Sequence, residues 1–401
     1  MSTPDPSIAY LAQGKLYHKP SGKDVNSINS DFLQELLDRR NRANQRTGWK
    51  QSGMMWNVTA QQDWQALAQA QSSAMATGAR MENISAVCIG QQPGEIFYSL
   101  NTQTIGGIFR YNITTGHEDR IAHKQNLQVR QLTVHPDEDL AVCSISYEDG
   151  SANLATMRAS GGKLAECTEG DSCDEAPRWV RGKGKLLVYQ SVGIARDMNG
   201  LPLDISAYAI KTLDLDSGEI KTLVEEPGQD CFHPRLLADG TLYFIRRPYK
   251  SINNRVKVTP WQLLKDIVLF PIRVCMVIFA FLDMLSNFLT GKHLTAAGGA
   301  RKQGPDVRQM LIAGRLVQMQ QQQRAENATA DTALAPKDWQ LIRQDTSGNQ
   351  TVLQSNVLSF DICSDGSYVY TDGLKVIYHD IDGNDRELAK GALIEHVAVT
   401  F

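Results

Sequence analysis

One pattern recurs along most of the chain and limits the folds open to it. A short apolar strand is followed by a tight turn, a Val/Leu/Ile/Tyr-rich strand, an alternating strand, an Asp-Gly or Ser-Gly turn, and a last polar strand. Five such units of about forty residues lie at 84–122, 128–168, 173–224, 231–247 continued at 338–354, and 357–388. Short strands punctuated by turn residues at this spacing predict antiparallel, all-β structure. A sixth unit is split between the two termini. Residues 392–401 supply a first strand, and residues 7–28 align with 367–388, which hold the second to fourth strands of the fifth unit. A ring closed by strands from both ends accounts for both fragments and hides the edges that an open array would expose.

The expectation is therefore an all-β, six-bladed β-propeller closed by N- and C-terminal strands, with helical insertions. Its predicted segments are 1–29 (strands completing the last blade), 30–80 (a helical insertion), 81–247 (blades), 248–336 (an apolar, basic insertion within a blade) and 337–401 (remaining blades and closing strand). His233-Pro234 with Asp239-Gly240, Asp365-Gly366, and Tyr378 through Asp382-Gly383 carry a specific likeness. On these residues the chain resembles the TolB-like, WD40-like propeller repeats over about three quarters of its length. The Gly-His and Trp-Asp dipeptides of true WD40 repeats are absent. The resemblance implies a fold and leaves function open, since such propellers serve as docking platforms, lyases and lids on peptidases. Asp214, Asp216, Asp380, Asp382 and Asp385 are read as turn formers, because their spacing lacks an EF-hand register.

Two segments break the β pattern. Ser30-Asp31 followed by Phe32, Leu33, Leu36 and Leu37 predicts a capped amphipathic helix, with a second helix over 60–76. The other segment is more informative. Between 267 and 289, 18 of 23 positions are apolar, and Arg273 and Asp283 are the charged residues there. A simple membrane span is unfavourable because both ends of the insertion must return to one blade, which forbids an odd number of crossings. On a helical projection Gln262, Lys265, Asp266, Arg273, Asp283 and Asn287 fall within a sector of about 100°. A helix with one narrow polar stripe can lie in the membrane interface, and Pro271 should kink it.

Charge agrees with that placement. Residues 248–336 hold 11 Lys/Arg against 5 Asp/Glu, although the whole chain carries a net charge of −3. A basic insertion on an acidic body suits an anionic cytoplasmic leaflet. Trp261, Leu264, Ile267, Leu269, Phe270, Ile278, Phe279, Phe281 and Phe288 are the expected inserting residues. Arg255, Lys257, Lys292, Arg301 and Lys302 would meet lipid headgroups. Docking to a protein partner, self-association through the same helix, and burial inside the chain are the alternatives.

Chemistry is harder to find. The sequence has no G-x-S-x-G elbow, H-E-x-x-H, P-loop or G-x-G-x-x-G. No two of its eight histidines stand at metal-ligand spacing on one helix or strand, and its seven cysteines form no CxxC pair. No metal, cofactor or catalytic residue is expected, and the near-balanced charge argues against nucleic acid as a partner. Candidate channel-lining residues on first strands are Arg130, Arg178, His233, Arg235, Asp361, Glu395 and His396. The resulting expectation is a non-catalytic adaptor, peripherally held on the cytoplasmic face of a membrane and presenting the propeller to protein partners. A start without basic or apolar signal regions and scattered thiols support the cytoplasmic placement. The alternatives are a lyase or hydrolase with its site in the axial channel, and a soluble subunit that docks through 259–290.

Overall fold

A strand that is apolar on both faces can be buried only between two other layers, and β1 (Ser7–Ala12) is such a strand. Ile8 and Tyr10 pack with Val369, Val376 and Tyr378, whereas Ala9 and Leu11 pack with Ile84, Val87 and Tyr98. The same solution repeats around the molecule. The computed structural model describes residues 5–36, 38–39, 42, 82–102, 105–147, 149–198, 200, 202–249 and 333–400. They belong to one compact unit, 1–250 with 316–401; a second unit, 251–315, lies outside the described residues.

With β1 go β2 (Lys15–Lys19) and β3 (Asn26–Ile28). The next sheet runs in order through β4 (Glu82–Ile89), β5 (Glu95–Thr102), β6 (Ile105–Asn112) and β7 (Glu118–Gln125). A nine-stranded sheet follows. Its first part is β8 (Val129–Val134), β9 (Ala141–Ser146), β10 (Ala152–Met157) and the short β11 (Ala165–Glu166). Its second part is β12 (Ser172–Trp179), β13 (Leu186–Arg196), β14 (Pro202–Ile205), β15 (Ala209–Asp214) and β16 (Ile220–Val224). A single parallel bridge, Ala152 to Cys173, joins the two parts.

The next sheet takes β17 (Gln229–Leu236) and β18 (Leu242–Pro248) from one side of the long insertion. It takes β19 (Gln340–Gln344) and β20 (Gln350–Ser355) from the other. β18 and β19 are antiparallel neighbours with Arg246 opposite Gln340, so the insertion leaves and re-enters at one end of one hairpin. Last come β21 (Ser359–Ile362), β22 (Tyr368–Thr371), β23 (Lys375–His379) and β24 (Asp385–Lys390). The final strand, β25 (Ile394–Thr400), pairs antiparallel with β1, placing Ser7 opposite Thr400.

The inner strands touch in succession around a closed cycle: β4 with β8, β8 with β12 (the first strand of the second part of the nine-stranded sheet), β12 with β17, β17 with β21, β21 with β25, and β25 back to β4. An apolar cluster fills the space between each pair of successive sheets. Phe232, Ile245, Phe360 and Tyr370 form one, and Val142, Leu154, Trp179 and Tyr189 likewise fill the space between the two parts of the nine-stranded sheet. The turns explain the Asp-rich signature. Asp380 Oδ1 accepts from the amides of Asp382 (3.0 Å) and Asn384 (2.8 Å), while Gly383 takes a φ of 87°, open to glycine without strain. Asp214 accepts from the amides of Asp216 and Ser217 in the same manner.

Ser30 caps a helical start at 31–36, its Oγ accepting from Leu33 N at 3.2 Å, and Phe32 packs on Phe109. The predicted second helix at 60–76 lies outside the described residues, and so does the whole apolar helix at 259–290. The inserting set (Trp261, Leu264, Ile267, Leu269, Phe270, Ile278, Phe279, Phe281, Phe288) and the basic set (Arg255, Lys257, Lys292, Arg301, Lys302) fall with it. Among the described residues no helix is long and apolar enough to cross a membrane.

Candidate functional site: the polar centre of the ring

The inner strands are irregular where they approach one another. Each bulge places one extra residue, or a residue pair opposite one partner, in the ladder: Ser85 in β4, Arg130 in β8, Ala176-Pro177 in β12, His233-Pro234 in β17 and Glu395 in β25. A bulge bends its strand and re-aims the side chains beside it. Two of these bulges are alike. Ala176-Pro177-Arg178 and His233-Pro234-Arg235 both set a non-glycine residue at positive φ, 51° and 54°, ahead of a proline and an arginine. Such a conformation costs on the order of 1–3 kcal/mol and needs support. The support comes from the preceding part of the ring. Gln131 Oε1 accepts from Ala176 N at 3.2 Å, and Gln190 Oε1 accepts from His233 N at 2.8 Å.

The arginines that follow converge with groups from β21 and β25. Arg235 Nε donates to Asp361 Oδ1 at 2.9 Å, and two further nitrogens donate to the carbonyls of Pro234 and Phe360. Asp361 Oδ2 accepts from Val399 N at 3.0 Å. Arg178 donates to Leu132 O at 3.2 Å and contacts His396 Nε2 at 3.4 Å. Electrostatics tie these groups together. Burial, with the nearby Arg235, lowers Arg178 to about 10. Burial and the two arginines push His233 down to about 3 and His396 well below its ordinary value, so both imidazoles are neutral at pH 7. Asp361 is held below the usual carboxylate range, because Arg235, Arg178 and the Val399 amide outweigh its burial.

The structure thus brings Arg178, His233, Arg235, Asp361 and His396 together. It does not add Arg130 or Glu395 to that group. Arg130 is ion-paired with Glu175, whose carboxylate also accepts from Gln190 Nε2 and Tyr208 Oη, both at 3.2 Å. Glu395 occupies the β25 bulge, and burial alone raises its pKa. Sequence reasoning missed Glu175, Gln190 and Tyr208. The signal that could have found this framework is the X-Pro-Arg triplet repeated at equivalent positions of two successive units. Cys88 and Cys143 are buried, with thiols pushed up to about 12, and serve as small apolar groups. Among the described residues no group of three His, Cys, Asp or Glu could hold a metal ion.

No protein-family model matches the chain, and no curated protein matches it in sequence. Solved structures do. One chain of a nidogen/laminin complex is similar over 99% of this chain and 99% of its own, with a TM-score of 0.50 and 9% identity. TolB from Acinetobacter baumannii matches 98% of this chain at 13% identity, with a TM-score of 0.49. The tricorn protease matches 97% at 11% identity, with a TM-score of 0.46. This chain spans 66% of the TolB chain and 34% of the tricorn chain. At such identities the likeness establishes a fold and no activity. The chain is all-β and has the fold of a β-propeller, with a TolB-like resemblance at that level.

Proposed function

We propose that this chain is a six-bladed propeller that acts as a non-catalytic adaptor, held peripherally on the cytoplasmic face of a membrane by its 259–290 segment. Six blades follow if the nine-stranded sheet counts as two, which its single parallel bridge and the closed cycle of inner-strand contacts support. The observation that carries the membrane reading is the common root of the insertion. With Arg246 opposite Gln340, the strands on either side of the insertion are hydrogen-bonded neighbours, so its apolar stretch is tethered to one blade from both ends, as a reach-out anchor requires. The basic excess of the insertion and the narrow polar stripe of 262–287 add the electrostatic and amphipathic parts of interfacial binding. The propeller surface then remains available to protein partners.

Co-flotation of the purified chain with neutral and anionic vesicles, at low and high salt, tests this. Flotation is expected, and it should be lost when Phe270, Phe279 and Phe281 are replaced by serine. Failure of the wild type to float, together with defined oligomers in solution, would instead make the insertion a protein-docking helix.

A further inference from the structure

The centre of the ring carries more positive than negative charge. Asp361 is fully engaged, one oxygen by Arg235 and the other by the Val399 amide. Arg178 has only neutral acceptors, Leu132 O and His396 Nε2, and among the described residues no carboxylate forms an ion pair with it. A guanidinium accepts nothing, so His396 Nε2 must be the accepting nitrogen of that pair. The neutral imidazole then carries its proton on Nδ1, which is buried and has no acceptor among the described residues. His233 is also neutral, and Cys88, which lies close to Arg178 and Asp361, is a thiol at pH 7. Two guanidinium ions therefore face one carboxylate in a desolvated setting, where an uncompensated charge is costly. Arg178, His233 and Asp361 all remain partly exposed, so a small solute can reach them.

We infer that Arg178 is the anchor of a binding site for a small oxyanion, a carboxylate or a phosphate, at the centre of the propeller. The planar guanidinium fork matches two oxygens of such a group, and a buried setting strengthens the charge-assisted hydrogen bonds. Arg235, held in place by Asp361 and Phe360 O, supplies a second positive charge without being the primary contact. The same two arginines exclude a metal cation from this place. The site does not depend on the membrane reading, because none of its residues belongs to the insertion.

Isothermal titration calorimetry on the full chain at pH 7 tests it, with sodium acetate and inorganic phosphate as probes and sodium chloride replaced at constant ionic strength. One-site binding of acetate or phosphate is expected, and the two arms separate a carboxylate site from a phosphate site. Arg178→Gln should weaken it roughly tenfold or more, the loss of a charge-assisted contact. If that variant does not fold, Arg178→Lys keeps the charge and removes the fork, and a weaker affinity is again expected. No binding of either anion by the wild type, or unchanged affinity in the folded variant, would overturn the site.

Discussion

Arg247 and Trp339 meet across the root of the long insertion: the guanidinium lies 4.6 Å from the centre of the indole ring. The guanidinium also lies 4.4 Å from the centre of the Phe232 ring, and Nε donates to Asp230 Oδ2 at 3.0 Å. Asp230 is completely buried and its other oxygen accepts from Tyr208 N. The strand that leads into the insertion and the turn that leads out of it are thus joined by one cation. Arg247→Met removes that cation and strands a buried carboxylate. The expected loss is about 3–5 kcal/mol, read from the urea midpoint at constant slope. A loss below about 1 kcal/mol would mean that the pair behaves as a surface ion pair does.

Stability should fall as the pH drops from 7 to 5. His233 and His396 are neutral in the folded chain, with His233 lowered to about 3. The unfolded chain takes up protons on these residues near the ordinary histidine value of about 6.5, so between there and about 3 the unfolded state binds more protons. Stability from these groups is present above that ordinary value and is lost progressively below it. Asp361, also lowered, acts in the same direction but only in the carboxylate range; Glu395, raised, opposes it there. The urea midpoint measured at pH 7, 6 and 5 should decline in the wild type and decline less in His396→Gln. Parallel lines for the two proteins would show that His396 is not held neutral.

The fold was legible in this chain because turn chemistry is local. Asp365-Gly366 and Asp380 through Gly383 announce their hairpins through Asx turns and positive φ, which depend on neighbours a few positions away. Strands apolar on both faces, such as β1, announce that a layer lies on either side. The site was legible only as a position. Arg178, His233, Arg235, Asp361 and His396 could be named as polar residues of inner strands, but their partners could not. Whether Arg130 faces a channel or Glu175 depends on a bulge, and a bulge is a property of the paired register of β8 on β9, whereas Glu175 stands 45 positions along the chain. The β14 hairpin arm escaped notice for a related reason: its four residues, Pro202–Ile205, are too few to show periodicity.

Gly106 should tolerate no side chain. A Cβ built there would lie 1.8 Å from Leu127 O, a backbone atom that cannot swing aside. The glycine lets β6 pass beneath the connection that leads into β8, next to the cluster containing Leu127, Val129 and Leu132. Gly106→Ala should cost about 1–3 kcal/mol by overpacking, seen as a lower melting temperature. At Gly161 the nearest contact of a Cβ is a more ordinary 3.4 Å, but φ is 119°, so Gly161→Ala reports backbone strain rather than crowding. Equal melting of Gly106→Ala and the wild type would show that β6 can move away from Leu127.

Closure of the ring rests on a strand pair whose members are almost the whole sequence apart. Thr400 Oγ1 donates to Ser7 Oγ at 2.7 Å, and β1 pairs with β25 from Ser7–Thr400 to Ala12–Ile394. β1 also fills two interfaces at once, Ile8 and Tyr10 on one face and Ala9 and Leu11 on the other. Removing residues 1–12 would therefore open two apolar clusters and leave β25 with a free edge. Leu11→Ala alone should cost about 2–5 kcal/mol, since Leu11 is 1% exposed. The truncated chain is expected to melt without a cooperative transition, and a synthetic peptide covering 5–19 should restore the transition by pairing through the same edge. Cooperative melting of the truncated chain at the wild-type temperature would show that the ring holds without β1.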